Sequence, residues 1–528
     1  MLPIIIIAAF TLTFLTLQYL HNLHYHRKRS KALHCKPITR GDDVFFGILA
    51  FIHMQRAVKQ KRFLEYQISR FENFGRNTFT FTIFGKRIVA TREPENIKAM
   101  LATQFQDFCL GDRYKQFHPF LGDGIFTLDG KGWSKARTLL RPQFVKDQVA
   151  DLALMDDHIT RLIELVPKDK STFDIQRLFF LLTIDSATHF LFGESIGSML
   201  PPSTSRQGIL ETSAVGSPQG FAEAFNLSQE YLTHRARAAN LYWLVDTREF
   251  RESNRKIHEV VDYYVKLGIE KYSQKQNQKS EMDEKEKERY VFLQALVADT
   301  QDPKMLRDNL LNILLAGRDT TASLLSSAFY YLARHREVWD RLRREVIDVF
   351  GDAKHPKAEI THAGLKDIAY LRYVLNETLR LLPPVPVNFR VATKDTSLPA
   401  GGGEDEKSPI YVRKGTQVAY SVYAMHRRPD LWGEDANTFR PERWEENAKH
   451  GWEYLPFNGG PRICLGRLSY PEQYALTEAS YALVRLLQHF DTVENGDDVL
   501  GDNEDPILEA NLTLSHVRGV WVRLYSKD

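Results

Sequence analysis

The chain has 528 residues, of which 43% are hydrophobic and 26% are charged, with 70 Lys and Arg against 67 Asp and Glu. This composition is typical of a globular protein and excludes a disordered or collagen-like chain. A formal net charge of +3 is too small to create the overall positive potential that attracts nucleic acid. Three widely spaced cysteines, Cys35, Cys109 and Cys464, exclude a disulfide framework and a Cys-rich zinc site. The sequence therefore indicates a reduced, intracellular body, and the local context of each cysteine must decide whether it carries chemistry.

An apolar segment opens the chain. Leu2–Leu20 carries no charge, and its 19 residues would span about 28 Å as a helix, close to the roughly 30 Å hydrocarbon core of a bilayer. Basic residues follow at 27–31 and none precede the segment, which places the rest of the chain on the cytosolic side. A cleavable signal peptide is the alternative, but its basic start and small-residue cleavage site are missing. We predict a membrane anchor and basic stop segment over residues 1–31 of a single-pass protein.

The remaining chain has the periodicities of a mixed fold. Apolar spacing and turn residues predict a strand pair at Thr78–Ile83 and Arg87–Thr91, followed by a helix at Glu93–Leu101. Residues 151–347 are predicted to be mainly helical, with a solvated loop or helix end at 273–289. Beyond Pro383 we predict strands and loops, then a last helix at 471–488 and short terminal strands. Nothing resembles an interdomain linker after the basic stretch. We therefore predict one domain over residues 32–528, mainly α with smaller β-sheets.

One cysteine lies in a distinctive loop, Phe457–Gly466, with the pattern FxxGxRxCxG. A sulfur that ligates iron must be a thiolate, which requires backbone N–H donors and positive potential nearby. The loop offers glycines that allow a close approach of the backbone, an arginine for an anionic group and a phenylalanine that shields the sulfur; these are Gly460, Gly466, Arg462 and Phe457. An inert buried cysteine is the alternative, and it is our interpretation of the other two cysteines. The loop favours Cys464 as a metal ligand.

With this loop the chain resembles the cytochrome P450 family of haem-thiolate monooxygenases. The resemblance implies the cytochrome P450 fold, haem b as cofactor, and Cys464 as the axial iron ligand whose electron donation favours O–O cleavage. Two further motifs occur in the order of the family, an ExxR helix with Glu377 and Arg380 and the segment Phe439–Trp444 with Arg443. The family uses these three charged residues as a structural network.

Further arginines gain a role from the same resemblance. Trp133 and Arg137 match the family's WxxxR signature, which lies near a haem propionate. Arg390 and Arg462 are implied to meet propionates as well. Without the resemblance, each of these arginines would be read as a surface charge.

Leu310–Leu315 and the Ala-Gly-Arg-Asp-Thr-Thr run that follows indicate a helix. We call it the oxygen-side helix, because the resemblance implies that it lies on the side of the haem where dioxygen binds. A threonine inside a helix can donate back to the carbonyl four residues earlier, here from Thr320 to Ala316. Gly317 allows the helix to approach a ligand closely. The alternative is a core helix with a capped polar turn. The family pattern AGxDT implies that Asp319 supplies protons and that the Thr320 hydroxyl positions them.

Two stretches, Leu121–Thr127 and Tyr420–Arg428, resemble the fungal microsomal alkane and fatty-acid hydroxylases. This branch implies terminal (omega) hydroxylation of n-alkanes or long-chain fatty acids. It also implies electrons from NADPH-cytochrome P450 reductase, with cytochrome b5 as a second candidate donor, and a place in the endoplasmic reticulum membrane. The apolar candidates for the substrate pocket are Phe120, Leu121, Ile125, Leu315, Val385 and Val387; ordinary core packing is the alternative for each.

The chain departs from that branch at Arg467–Pro471, about five inserted residues between the cysteine loop and the last helix. We hypothesise that the insertion displaces the helix N-terminus from the sulfur and impairs haem binding, unless the loop bulges outward or the insertion is a gene-model artefact. Two other functions stay open. A haem-thiolate isomerase or dehydratase that does not use O2 usually lacks the acid–alcohol pair, which is present here as Asp319 and Thr320. A non-catalytic haem-binding protein would result if the 467–471 insertion disables the site.

Overall fold

The computed structural model describes residues 2–41, 44–144, 152–201, 213–278, 291–447, 450–467, 474–502 and 505–526. The helices are α1 (Leu2–Ala32), α2 (Ile48–Lys59), α3 (Phe63–Phe74), α4 (Pro94–Lys98), α5 (Arg113–Leu121), α6 (Gly130–Leu140), α7 (Leu152–Glu164), α8 (Ile175–Phe192), α9 (Pro218–Arg237), α10 (Arg248–Gln278), α11 (Phe292–Asp299), α12 (Pro303–Leu332), α13 (Arg336–Phe350), α14 (His362–Asp367), α15 (Ala369–Leu381), α16 (Val422–Met425), α17 (Pro429–Trp432), α18 (Arg443–Glu446) and α19 (Tyr474–His489).

The strands are fewer and shorter than the helices. They are β1 (Thr78–Ile83), β2 (Lys86–Thr91), β3 (Phe108–Cys109), β4 (Phe173–Asp174), β5 (Val387–Ala392), β6 (Thr396–Gly402), β7 (Ser408–Val412), β8 (Gln417–Ser421), β9 (Thr492–Asn495), β10 (Leu508–Ala510), β11 (Leu514–His516) and β12 (Trp521–Tyr525). The prediction of a mainly helical chain with smaller sheets is confirmed.

Backbone contacts divide the chain into two compact units. The first unit comprises Met1–Gly111, Val387–Met425 and Gly459–Arg462. The second unit comprises Asp112–Pro386, His426–Asn458 and Ile463–Asp528.

The first unit contains the largest sheet, with five strands in the order β1-β2-β8-β5-β3. The pair β2–β8 is parallel, and the other neighbours are antiparallel. The predicted strand pair is confirmed, with β2 beginning at Lys86. Its two-residue turn, Phe84–Gly85, has positive φ at both positions (47° and 75°), which matches the right-handed twist of a hairpin. Phe71, Phe79 and Ala424 form a small core in this unit.

The apolar segment at the start of the chain is one continuous helix, α1, which continues past Leu20 through the basic stretch to Ala32. Within the described residues it is the one helix long and apolar enough to cross a membrane, with a mean hydropathy of 1.8 and none of its apolar window buried. Near its end His26 Nδ1 lies 2.9 Å from the Tyr411 hydroxyl of the same unit. The observed helix is therefore longer than the apolar segment Leu2–Leu20 and nearly coincides with the predicted anchor and basic stop segment at 1–31.

The second unit is built around α12. Its N-terminus is capped by the Asp302 carboxylate, which accepts from Lys304 N and Met305 N at 3.0 and 3.3 Å, and Pro303 occupies the first helical turn. Nearly all of its side chains from Leu306 onward are buried, because α8, α15 and α19 pack around it. A helix enclosed on all sides needs apolar residues on every face, which explains its weak amphipathic pattern.

Two small sheets, β4-β12-β9 and β10-β11, complete the second unit. The last helix is described from Tyr474 to His489. Its predicted start at Pro471 and residues 468–471 of the insertion lie outside the described residues. The charged run predicted at 273–289 begins as the exposed end of α10, and its remainder from 279 also lies outside them.

Candidate functional site

Phe457, Asn458 and residues 463–466 of the cysteine loop belong to the second unit, where the Cys464 side chain lies on an open side. Asn458 adopts a left-handed backbone (φ 61°) that turns the chain, and Cys464 N–H donates to the Phe457 carbonyl at 3.0 Å. The next residue, Leu465, is buried in the main hydrophobic core, whereas Cys464 is exposed. The backbone of the loop is thus anchored while the thiol remains accessible to a ligand.

A positive charge lies beside this sulfur. Trp133 and Arg137 share one face of α6 at an i, i+4 spacing, and the guanidinium carbon lies 5.8 Å from the centre of the indole ring. Arg137 Nη2 donates to the Ile463 carbonyl at 3.0 Å, next to the cysteine. Burial lowers the pKa of Arg137, and the negative charge of a Cys464 thiolate opposes this effect. By the same coupling the guanidinium stabilises the thiolate, the form that ligates iron.

The predicted hydrogen bond on the oxygen-side helix is present. Thr320 Oγ1 donates to the Ala316 carbonyl at 2.7 Å, which leaves the hydroxyl oxygen as an acceptor. A methyl group added at Gly317 would meet no atom of the described residues within 4 Å, so open space borders α12 there. The half-buried Thr320 therefore lies next to a part of the helix that a ligand can approach.

The acid beside that threonine is fully enclosed. Asp319 Oδ1 lies 3.1 Å from Arg318 Nη1, which also donates to Asn226 Oδ1 at 2.6 Å. Burial raises the pKa of Asp319, while the Arg318 charge and a hydrogen bond with Gln229 oppose the rise. Asn226 and Gln229 belong to α9, so the acid is held between two helices. A carboxyl group with a raised pKa exchanges its proton more readily near neutral pH.

The structure brings the three charged residues of the ExxR network together. Glu377, which is completely buried, accepts from Arg380 Nη2 at 2.8 Å and Nε at 2.9 Å, and from Arg443 Nε at 2.9 Å. Trp444 Nε1 and Arg440 N–H also donate to it, each at 3.0 Å. Burial raises the pKa of Glu377, but the hydrogen bonds and charges of the arginines outweigh it and lower the pKa below its usual value.

Two other buried groups were not predicted. His426 Nδ1–H donates to the Arg380 carbonyl at 2.9 Å, and its Nε2 accepts from Leu455 N at 2.9 Å, so the ring joins the ExxR helix to the segment before the cysteine loop. Burial lowers its pKa to about 3. Glu478 on α19 accepts from Ser186 Oγ at 2.6 Å, and burial raises its pKa. The sequence around His426, where Arg427 and Arg428 follow, gives no sign of burial, whereas Glu478 beside Ala479 on an apolar helix was an available signal.

Four predicted site residues belong to the first unit, namely Val387, Arg390, Gly460 and Arg462. Arg390 is buried, and its Nη1 donates to the Phe389 carbonyl at 2.7 Å. Its Nε has no hydrogen-bond partner among the described residues, as expected of a cation that binds an anionic group of a cofactor. Gly460 has a positive φ (65°), and a side chain there would lie 1.8 Å from the Leu101 carbonyl. Packing against Leu101 therefore accounts for this glycine in its own unit.

The substrate candidates divide into two groups. Phe120, Leu121 and Leu315 belong to the main core of the second unit, and Ile125 packs against it. Val385, in contrast, is 36% exposed. The structure thus places four of the six candidates in or against one hydrophobic core, and core packing already accounts for Phe120 and Leu121, which are fully buried.

Comparison with known proteins defines the class of this protein. Residues 45–514 match the family model of cytochrome P450, and the chain belongs to the cytochrome P450 family. The resemblance seen in the sequence is confirmed, and with it the fold. The chain is a haem-thiolate monooxygenase that binds haem through a cysteine thiolate, receives electrons from a redox partner and acts on a lipophilic substrate.

Comparison with individual relatives identifies the branch of the family to which the chain belongs. The chain is 47% identical to cytochrome P450 52A12 of Debaryomyces hansenii over 499 residues, 94% of this chain and 93% of the relative. It is 46% identical to cytochrome P450 52A3-A of Candida maltosa over 509 residues, 95% and 93% of the two chains. Cytochrome P450 52A6 of Candida tropicalis is 46% identical over 504 residues, 94% and 93%. These matches confirm the fungal alkane and fatty-acid hydroxylase branch, and they disfavour the isomerase, dehydratase and non-catalytic alternatives. Together with the apolar helix α1 they support membrane anchoring.

The residues present fit haem. An accessible thiol with an arginine beside it suits an iron centre with anionic side groups, and the open space at Gly317 suits a ligand against α12.

Proposed function

We propose that this chain hydroxylates the terminal carbon of n-alkanes or long-chain fatty acids, with Cys464 as the axial ligand of haem b. The observation that carries the proposal is the anchored loop that leaves the Cys464 side chain accessible beside the Arg137 guanidinium. When bound, haem supplies the iron at which dioxygen is activated for insertion of one oxygen atom into a C–H bond. The protein's part is to hold the cofactor, exclude water, orient the chain of the substrate and deliver protons.

Holding the cofactor falls to residues with charge or little bulk. Arg137, with Trp133 packed against it, is positioned to bind a propionate, and the family pattern gives the same role to Arg390 and Arg462. Phe457 shields the sulfur. The family pattern gives Gly460 and Gly466 a role in the close approach of a flat ligand, and at Gly460 packing against the Leu101 carbonyl also requires glycine.

Proton delivery is assigned to the acid–alcohol pair of α12. Asp319 is enclosed, and burial raises its pKa above the usual value of a carboxyl group, which favours its use as a proton donor. The Thr320 hydroxyl donates a hydrogen bond to the Ala316 carbonyl, so the lone pairs of its oxygen can accept another hydrogen bond. The pair would pass protons toward the open space at Gly317 without admitting bulk water.

The membrane setting follows from the anchor. We propose an endoplasmic reticulum location, with residues 1–31 in and beside the membrane and residues 32–528 as one catalytic domain on the cytosolic side. Basic residues after the apolar half of α1 support this orientation. NADPH-cytochrome P450 reductase is the proposed electron donor, with cytochrome b5 as a second donor.

The test begins with the full chain in membranes. The reduced, CO-bound difference spectrum should show a thiolate-type Soret band, and Cys464→Ser should lose it. Cys35→Ser is the matched control, because burial raises the pKa of the Cys35 thiol to about 11 and keeps it neutral. With NADPH and the reductase, the wild type should then convert a long-chain fatty acid to its terminal hydroxy acid. A band that survives in the Cys464 variant, or a product formed without NADPH, would contradict the proposal.

A further inference from the structure

The loop that follows α5 is held by side chains of α12. Asn312 Nδ2 donates to the Leu121 carbonyl at 2.9 Å, and Asn312 Oδ1 accepts from Phe126 N at 3.1 Å. One turn earlier, Asp308 Oδ2 accepts from Asp123 N at 2.9 Å. Both α12 side chains are completely buried, so the loop's backbone finds its partners in protein rather than in water.

Three further hydrogen bonds hold this loop and the end of α5. Thr127 Oγ1 donates to the Gly122 carbonyl at 2.7 Å and accepts from Gly124 N at 2.9 Å. His258 Nε2 lies 2.8 Å from the Phe120 carbonyl; since a carbonyl only accepts, the histidine donates. The last residues of α5 and the loop from Gly122 to Thr127 are therefore held in a fixed shape by hydrogen bonds.

The fit between loop and helix leaves no room for adjustment. Gly122 has a positive φ (59°), and a side chain there would lie 2.1 Å from the Asp308 carboxyl carbon. A side chain at Gly124 would lie 2.3 Å from Asn312 Nδ2. Lys304 Nζ contacts Asp308 Oδ2 at 2.6 Å and Asp123 Oδ2 at 2.8 Å, which balances the buried carboxylate. We call Asp308 and Asn312 the α12 clamp.

The clamp connects two parts of the proposed active site. Of the candidates for the substrate wall, Leu121 is itself held through its carbonyl, and Ile125 lies between the held amides of Asp123 and Phe126. Thr320 lies eight residues beyond Asn312 on the same helix, about 12 Å at the helical rise. Because one rigid helix carries both, the distance between wall and hydroxyl is fixed by α12 and not by the loop.

We propose that Asn312 and Asp308 are positioning residues that determine which carbon of the substrate is hydroxylated; this inference rests on the proposed hydroxylation of alkyl chains. A terminal C–H bond is stronger than an internal one, so a loosely held chain reacts at internal carbons. Terminal selectivity therefore requires walls that do not move. The clamp supplies such a wall, and its loss increases the share of internal products.

The experiment compares Asn312→Ala with Asn309→Ala in the full chain, with reductase, NADPH and dodecanoic acid. Asn309 is the matched control: it is a buried asparagine of the same helix whose Nδ2 donates to the Met305 carbonyl at 2.8 Å, within α12. The ratio of terminal to internal hydroxy acids should fall about tenfold in Asn312→Ala, the equivalent of one lost net hydrogen bond, and stay within about twofold in the control. Thr127→Val, which removes a hydroxyl inside the loop, should shift the ratio in the same direction if Asn312→Ala does not fold.

Amide hydrogen exchange of residues 121–127 gives a second, substrate-independent measurement. Exchange should become about tenfold faster in Asn312→Ala than in Asn309→Ala. A product ratio that stays equal in the two variants, while the wild type makes hydroxy acids, overturns the proposal. If the wild type makes none, the proposed function fails instead, and hydrogen exchange alone decides whether the clamp holds the loop.

Discussion

Removal of the Glu377 carboxylate tests how much of the stability of the second unit depends on its charged network. Glu377→Ala leaves Arg380, which is completely buried, and Arg443, which is 6% exposed, without their anionic partner. Loss of one member of a buried ion pair costs about 3–5 kcal/mol of unfolding free energy. Arg380 keeps its bonds to the carbonyls of His426 and Ala436 at 2.8 and 2.6 Å, so we expect the lower half of that range. Glu377→Gln, which keeps one acceptor oxygen but no charge, should lose about 2 kcal/mol.

The assay is urea unfolding of the haem-loaded chain, followed by both the Soret band and tryptophan fluorescence, since coincident curves are needed for a two-state analysis. Glu345→Ala is the control. Glu345 also pairs with an arginine on one helix, Arg341 at 3.3 Å, but both side chains are 36% exposed; its loss should cost no more than about 0.5 kcal/mol. A Glu377→Ala midpoint that matches the Glu345→Ala midpoint would refute the reasoning.

The same network predicts a pH dependence. The pKa of folded Glu377 lies below its usual 4.5, so the folded state binds fewer protons than the unfolded chain near that pH. Its stabilising contribution is complete above pH 4.5 and decreases as the pH falls through the lower, folded pKa. The stability difference between the wild type and Glu377→Ala should therefore shrink in acid, and a difference that grows would contradict the assignment.

Other substitutions test separate features. His426→Ala leaves a buried carbonyl and a buried amide unpaired and should cost about 3 kcal/mol; because the folded pKa is about 3, wild-type stability should also fall from about pH 7 to 5 in urea titrations, and this slope should be missing in the variant. Asp319→Asn should slow product formation on the order of a hundredfold and raise peroxide released per NADPH, with an unchanged CO spectrum. Gly122→Ala should lower the free energy of unfolding measured in urea by about 2 kcal/mol, more than Gly75→Ala, whose φ is nearly the same but which borders open space. Deletion of residues 2–20 should move the chain from the membrane pellet to the supernatant; full retention in the pellet would contradict the anchor.

Features set by local spacing could be predicted from the sequence. The i, i+3 pair of Glu377 and Arg380 and the bond from Thr320 to Ala316 depend on helical geometry within one turn, so the type of element was sufficient to find them. The hairpin at 78–91 also follows from alternation and a two-residue turn. The cysteine loop was recognisable because its residue types are rare in that order.

Features that depend on distant partners could not be predicted in this way. Asn312 and Leu121 are 191 positions apart, and His426 and Arg380 are 46 apart. A polar residue in an apolar helix signals that a partner exists but does not say which one. Gly460 shows the same limit, because its close neighbour in the first unit is Leu101, whereas the sequence suggested a cofactor. Fold topology, rather than local propensity, supplies these partners.

In the second unit, the residues proposed to position the substrate and to deliver protons lie on a single helix, α12. Between Asp308 and Thr320, α12 carries in order the clamp proposed to fix the substrate wall, the open space at Gly317, and the pair Asp319 and Thr320. Arg318 extends these constraints to α9 through Asn226. A change that tilts or shifts α12 must therefore alter the position of the substrate and the supply of protons together, because the residues for both lie on one continuous helix. Variants along α12 that change the product ratio should for this reason also change the peroxide released per NADPH, whereas variants that act through the loop alone, such as Thr127→Val, should change the ratio with less effect on peroxide.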